Sequence, residues 1–128
     1  MIVVDTNVMV YLLAGGPRGA AAADLLRQDP DWAGPPILLS ELRNVLAGSV
    51  GRELVTEEDA LAMLDDARGI LGGRVVTVTG SEALRIALRR GLTAYDAEFV
   101  VLAQALDVPL VTADRAILAA ASEVAVPL

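Results

Sequence analysis

Short runs of β-branched and leucine residues alternate in this chain with longer stretches whose apolar positions recur at helical spacing. The first run, Ile2-Val3-Val4, reads as a strand, and a short helix through Val8, Val10 and Leu12 follows it. Gly15-Gly16-Pro17 breaks that helix. An alanine-rich helix covers about Ala20 to Arg27 and stops at Asp29-Pro30. Beyond Pro35-Pro36, Ile37 to Leu39 reads as a second strand, and Leu42, Val45, Leu46 and Ser49 carry helical spacing up to Gly51. Thr56 before Glu57-Glu58-Asp59 is a helix start, a hydroxyl cap with acids in the first turn. Ala60, Leu64, Ala67 and Leu71 form the buried stripe of that helix, and Gly72-Gly73 ends it. Val75 to Val78 is a third strand, and Ser81 caps a helix running to Gly91. Thr93 caps the next helix, whose segment Phe99-Val100-Val101-Leu102-Ala103 is apolar nearly all round and is predicted to be central. Pro109-Leu110-Val111 is the fourth strand, a helix covers Arg115 to Ala121, and Val124 to Val126 closes the chain as a short strand.

Strands that are apolar on both faces and alternate with helices predict an α/β fold. The expectation is one three-layer domain over residues 1–128, with a mostly parallel sheet of about four to five strands and helices on both faces. No internal repeat, low-complexity tract or long linker divides it. In such sheets ligands bind in the crevice beyond the carboxyl ends of the strands.

Composition sharpens this picture. Hydrophobic residues make up 55% and aromatics only 3%, so the core must be built from Ala, Val, Leu and Ile. That apolar share exceeds what a small domain readily buries, which predicts an interface and favours a homodimer. No apolar run approaches the ~18 residues of a membrane span. The strand-like run starting at Ile2 leaves no room for a signal peptide, and zero cysteine excludes a disulfide scaffold. The expected localisation is cytoplasmic. A net charge of −7 speaks against a nucleic-acid partner. Two facts weaken that objection: all ten basic residues are arginine, suited to bidentate phosphate contacts, and some acids belong to a candidate metal site.

The chain has no His, Cys or Lys, which removes a histidine base, a Ser-His-Asp triad, a thiolate, a Schiff-base lysine and a phosphate-loop lysine. Against that absence stand Asp5, Glu41, Asp96 and Asp114, each read at a junction between a strand-like and a helix-like run. Asp5, Glu41 and Asp114 are expected just past a strand, and Asp96 in the first turn of a helix. Taken singly, each acid has a structural role. Asp5 and Asp114 suit helix caps, Asp96 has capping-box spacing from Thr93, and Glu41 suits the positive end of a helix dipole. Taken together, carboxylates converging on one rim repel one another unless a cation lies between them. Oxygen-only ligation selects Mg2+ or Mn2+ over zinc. Such an ion lowers the pKa of water and offsets charge on a phosphodiester, so no neutral-pH side-chain base is needed.

Thr6, Asn7, Ser40 and Thr112 adjoin these acids. They either orient the carboxylates or make local turn hydrogen bonds. Arg115 is a candidate for a substrate phosphate, with a solvated helix start as its plainer role. Tyr95 and Trp32 are able to stack on a base; for Tyr95 packing is the simpler expectation, and for Trp32 the sequence does not decide.

Val3-Val4-Asp5-Thr6-Asn7-Val8, Ser40-Glu41-Leu42, Thr93-Ala94-Tyr95-Asp96-Ala97 and Leu110-Val111-Thr112-Ala113-Asp114 resemble, in order and spacing, the four motifs of the PIN-domain ribonucleases. The resemblance covers essentially the whole chain and is closest to the VapC-type toxins of toxin–antitoxin pairs. It implies an Mg2+- or Mn2+-dependent endoribonuclease with Asp5, Glu41, Asp96 and Asp114 as the acidic cluster. It also implies an RNA substrate, homodimers, and inhibition by a cognate antitoxin, a small DNA-binding protein whose tail blocks the site. Relatives often carry a further acid after the fourth; here Arg115, Ala116 and Ile117 follow, which puts a stable second ion in doubt. Two other readings compete. A phosphatase or phosphotransferase with Asp5 as nucleophile would want Asp-x-Asp and a lysine, where this chain has Asn7 and no lysine. A non-catalytic module would be expected to have lost one of the four acids.

Overall fold

The computed structural model describes residues 1–128. In chain order the elements are β1 (Ile2–Val4), α1 (Thr6–Ala14), α2 (Gly16–Gln28), β2 (Trp32–Ala33), α3 (Pro36–Gly51), α4 (Glu57–Leu71), α5 (Gly80–Arg90), α6 (Ala94–Leu106), β3 (Leu110–Thr112), α7 (Arg115–Ala120) and β4 (Ala125–Pro127). The four strands form one parallel sheet in the order β2-β1-β3-β4, with Val3 beside both Ala33 and Leu110. The α/β class and the parallel sheet are as the sequence predicts.

Every residue of β1 and β3 is buried, as a sheet covered on both faces requires. The apolar segment of α6 lies against both strands, with Phe99, Val100 and Leu102 in the core and α5 packed alongside. Alpha-helix α1 packs against β3, α2 and α3. The contact with α2 depends on Gly19, where a Cβ would sit 2.7 Å from the Tyr11 carbonyl oxygen.

Two predicted strands form differently. Ile37 to Leu39 lies inside α3, and the second strand is Trp32–Ala33. Pro36 takes the first helical position, where its missing N–H costs nothing, and Pro35 stays extended before it. Leu38, Leu42 and Leu46 are the buried residues of α3, one every four, so the helical period wins over the local β-like run. Val75 to Val78 contributes only one parallel bridge, from Val75 to Gly34, beside the short edge strand β2. Smaller shifts affect α5, which starts at Gly80 after Thr79, leaving Ser81 inside the helix rather than capping it. Trp32 is fully buried, so it is a core residue and cannot stack on a base, and its indole N–H has no hydrogen-bond partner.

Candidate active site

Chain order reverses between β1 and β3: β1 is followed by β2 on one side, and the chain returns to β3 on the other. At such a switch point the loops after the two strands diverge and leave a crevice. Asp5 follows β1 and Asp114 lies two residues past β3, so both stand at its mouth. The crevice is about 400 Å³, and Asp5, Glu41, Asp96 and Asp114 all line it. No arginine does.

Each acid reaches this place by a different local device. Asp5 is 5% exposed and caps α1, its Oδ1 accepting from the Val8 N–H at 2.9 Å. Its Oδ2 accepts from the Thr112 hydroxyl. The Thr112 oxygen in turn accepts the Asp114 N–H at 2.9 Å, so one buried threonine ties the two strand-end acids together. Asp114 caps α7 through Oδ1, which accepts from Ala116 at 2.8 Å and Ile117 at 3.1 Å. Asp96 is in the first turn of α6, its backbone N–H donated to Thr93 Oγ1 at 3.0 Å. Asp5 and Asp114 therefore each cap a helix and line the crevice, so capping does not exclude a second role there.

Glu41 arrives by another route. It lies in the second turn of α3, not after a strand, and too far from the helix start to be a terminal charge. The Thr6 hydroxyl donates to Glu41 Oε1 at 2.7 Å, which holds α3's acid beside the α1 terminus where Asp5 sits. Thus Thr6 and Thr112 touch the carboxylates directly. Asn7 and Ser40 line the crevice, with the Ser40 hydroxyl accepting from Arg43 at 3.0 Å. Arg115 is exposed on α7 and is not part of the lining. Tyr95 is 61% exposed and lines the crevice, contrary to the expectation that it packs.

Asn44, Ile37, Val45, Phe99 and Ile117 complete the wall and were not expected from sequence. Ile37, Glu41 and Val45 are spaced four apart, as are Ser40 and Asn44, so they share one face of α3. That signal is visible only once residues 37–39 are read as helix.

The electrostatics follow from burial and from crowding. Burial pushes the Asp5 carboxyl above the ordinary carboxylate range, and the charges of Asp114 and Asp96 push the same way. The Thr112 hydroxyl and the Val8 N–H oppose the rise. Asp96 is also raised, first by burial and then by the charge of Asp114, with the Thr93 hydroxyl opposing. A cation among these groups would relieve both effects. Hard oxygen donors without nitrogen or sulfur fit Mg2+ or Mn2+. No three acids are gathered tightly enough to form a finished cage. Mg2+ commonly takes one or two carboxylates and keeps waters or substrate phosphates as its remaining ligands, so an open arrangement suits it.

The PIN domain family model matches residues 2–123. This chain is a PIN domain. It is 36% identical over 120 residues to Ribonuclease VapC1 of Mycobacterium tuberculosis, covering 92% of this chain and 89% of that protein. Among solved structures, PAE2754 from Pyrobaculum aerophilum superposes with a TM-score of 0.78 at 25% identity, over 97% of this chain and 81% of that one. FitAcB from Neisseria gonorrhoeae gives 0.73 at 21% identity, over 98% and 96%. A toxin-antitoxin complex from Klebsiella pneumoniae gives 0.71 at 18% identity, over 98% and 96%. The PIN domain thus spans nearly all of the chain, and no helix in it is long and apolar enough to cross a membrane.

Proposed function

We propose that this PIN domain is an Mg2+- or Mn2+-dependent endoribonuclease and the toxin of a type II toxin–antitoxin pair. One observation carries the reading: four carboxylates from four separate segments line a single crevice at the sheet's switch point, with no cationic side chain among them. The curated relative at 36% identity is a ribonuclease, which supports RNA as the substrate. Asp5, Glu41, Asp96 and Asp114 would hold the ion, which when bound supplies a Lewis acid that activates water and offsets charge on the scissile phosphodiester.

The chain's own residues supply the positioning. Thr112 fixes Asp5 and, through the Asp114 N–H, sets where the second strand-end acid begins its helix. Thr6 orients Glu41. Glu41 and Asp114 each keep one carboxylate oxygen without a protein partner, while both oxygens of Asp5 are engaged. Asp5, buried and doubly hydrogen-bonded, is poorly placed as a phosphate-attacking nucleophile, which disfavours the phosphotransferase alternative.

For partners, the toxin–antitoxin complex among the solved relatives supports a cognate antitoxin. Leu54, Leu61, Leu84 and Leu88, all more than half exposed, supply apolar surface for a homodimer or for that antitoxin. A cytoplasmic site of action fits the RNA substrate and the absence of cysteine. The test is cleavage of pooled RNAs by the purified chain with Mn2+, with Mg2+ and with EDTA. Cleavage that requires the ion supports the proposal. Cleavage indifferent to EDTA, or none with either ion, overturns it.

A further inference from the structure

The geometry points to Tyr95 as a positioning residue that stacks on a base of the bound RNA and so sets which phosphodiester meets the acids. The inference rests on the nuclease reading above. Its first support is exposure: Tyr95 is 61% exposed in a chain where aromatics make up 3% of residues and where Trp32 and Phe99 are core. An exposed aromatic contributes little to folding. Its second support is place. Tyr95 is in the first turn of α6, adjacent to Asp96, and lines the acidic crevice itself.

The third support is what the crevice lacks. No arginine lines it, so ion pairs from the wall cannot grip the phosphates there. The partly exposed apolar side chains of Ile37 and Val45 nevertheless share the wall with the carboxylates. Apolar surface has no part in holding a hard cation, but it fits the flat face of a base. Aromatic stacking serves every base and compensates for a weak electrostatic grip. Asn44, exposed on the α3 side of the crevice, offers amide donors and an acceptor to a base edge.

Two variants and two readouts test this. Tyr95→Ala and Tyr95→Phe are compared with the unaltered chain for kcat and KM in Mn2+-dependent cleavage of an RNA octamer. Binding of that octamer in Ca2+ is followed by fluorescence anisotropy, with a single abasic position moved along the RNA. Stacking on an aromatic side chain contributes about 5- to 150-fold per base. Tyr95→Ala should therefore raise KM and Kd by about tenfold or more with kcat within about threefold, while Tyr95→Phe restores both. One abasic position should reproduce the loss in the unaltered chain and add nothing in Tyr95→Ala. Melting temperatures should not differ. Unchanged KM and Kd in Tyr95→Ala, the result expected if the ring serves a protein partner instead, overturn the inference. So does a loss that every abasic position adds to equally. A chain that cleaves no RNA but shows the Tyr95 binding pattern refutes the nuclease reading and leaves the stacking in place; cleavage without Tyr95 dependence does the reverse.

Discussion

Replacing Thr112 by valine should lower stability more than any other single-atom change near the crevice. Valine keeps the shape of the side chain but removes a fully buried hydroxyl that donates to Asp5 Oδ2 and accepts the Asp114 N–H at 2.9 Å. The loss leaves a buried carboxylate oxygen without its donor and a backbone N–H without its acceptor. Each such group costs about 1–3 kcal/mol; the Asp114 N–H is only partly buried and takes the low end, giving roughly 2–4 kcal/mol for the pair. At about 3–5 °C per kcal/mol for a domain of this size, the melting temperature should fall by about 6–20 °C. The deficit should also depend on pH. The Thr112 hydroxyl holds the Asp5 pKa down against its burial, so its removal raises that pKa further. A native carboxyl whose pKa lies above its unfolded value binds more protons than the unfolded state, and stability then falls as pH rises. The penalty should therefore be smallest near the ordinary value of 3.8 and grow toward neutrality. Urea unfolding of the metal-free chain at pH 4.5 and 7.5, followed by the fluorescence of the only tryptophan, Trp32, measures this directly. Thr112→Ser is the control: it keeps the hydroxyl and should lose only about 1 kcal/mol for the methyl group. A Thr112→Val protein as stable as the parent, or a deficit equal at both pH values, would refute the hydrogen-bond account.

Asp96→Asn should stabilise the metal-free chain at pH 7.5, because burial and the charge of Asp114 raise the Asp96 pKa; the gain should shrink as pH falls toward 3.8, where urea midpoints converge. Mn2+ at ~100 times its Kd should stabilise the parent by about 2.7 kcal/mol, or roughly 10 °C, and Asp96→Asn far less, as thermal melts will register. Trp32→Phe removes a buried N–H that has no partner and should change the unfolding free energy by less than ~1 kcal/mol, against about 3–5 kcal/mol for Trp32→Ala, as urea denaturation will measure. Gly19→Ala should destabilise by about 1–3 kcal/mol despite alanine's better helix propensity, since its Cβ would meet the Tyr11 carbonyl oxygen at 2.7 Å and force α2 away from α1.

The central strands were legible in the sequence because β1 and β3 are continuous apolar runs that end in turn residues, and α6 because its apolar segment admits no exposed face. The misread segment, residues 37–39, is an apolar triplet whose period is ambiguous over so short a run; only its continuation through Leu42 and Leu46 makes it helical. β2 is two residues long and offered no periodicity at all. Among the residues that line the crevice, Asp5, Asp96 and Asp114 were legible because strand ends and helix caps are local signals. The arrival of Glu41 depends on the Thr6 bond across 35 residues of chain, and the tie between Asp5 and Thr112 spans 107. Contacts at such separations leave no local trace. The family's ordered motifs supplied what spacing could not.

The most direct test of the account is the Mn2+-dependent RNA cleavage rate of Asp114→Asn beside its metal-free melting temperature. Asparagine keeps the oxygen that caps α7 through Ala116 and Ile117, so only the charge is lost. An acid that binds the ion should give a rate at least ~100-fold below the parent, the scale of losing a major electrostatic contribution to the transition state. The metal-free melting temperature should not fall, because a repulsion with Asp5 and Asp96 is removed. Cleavage at the parent's rate, with the fold intact, would show that Asp114 is a cap and nothing more, and would contradict the metal-nuclease reading of the crevice.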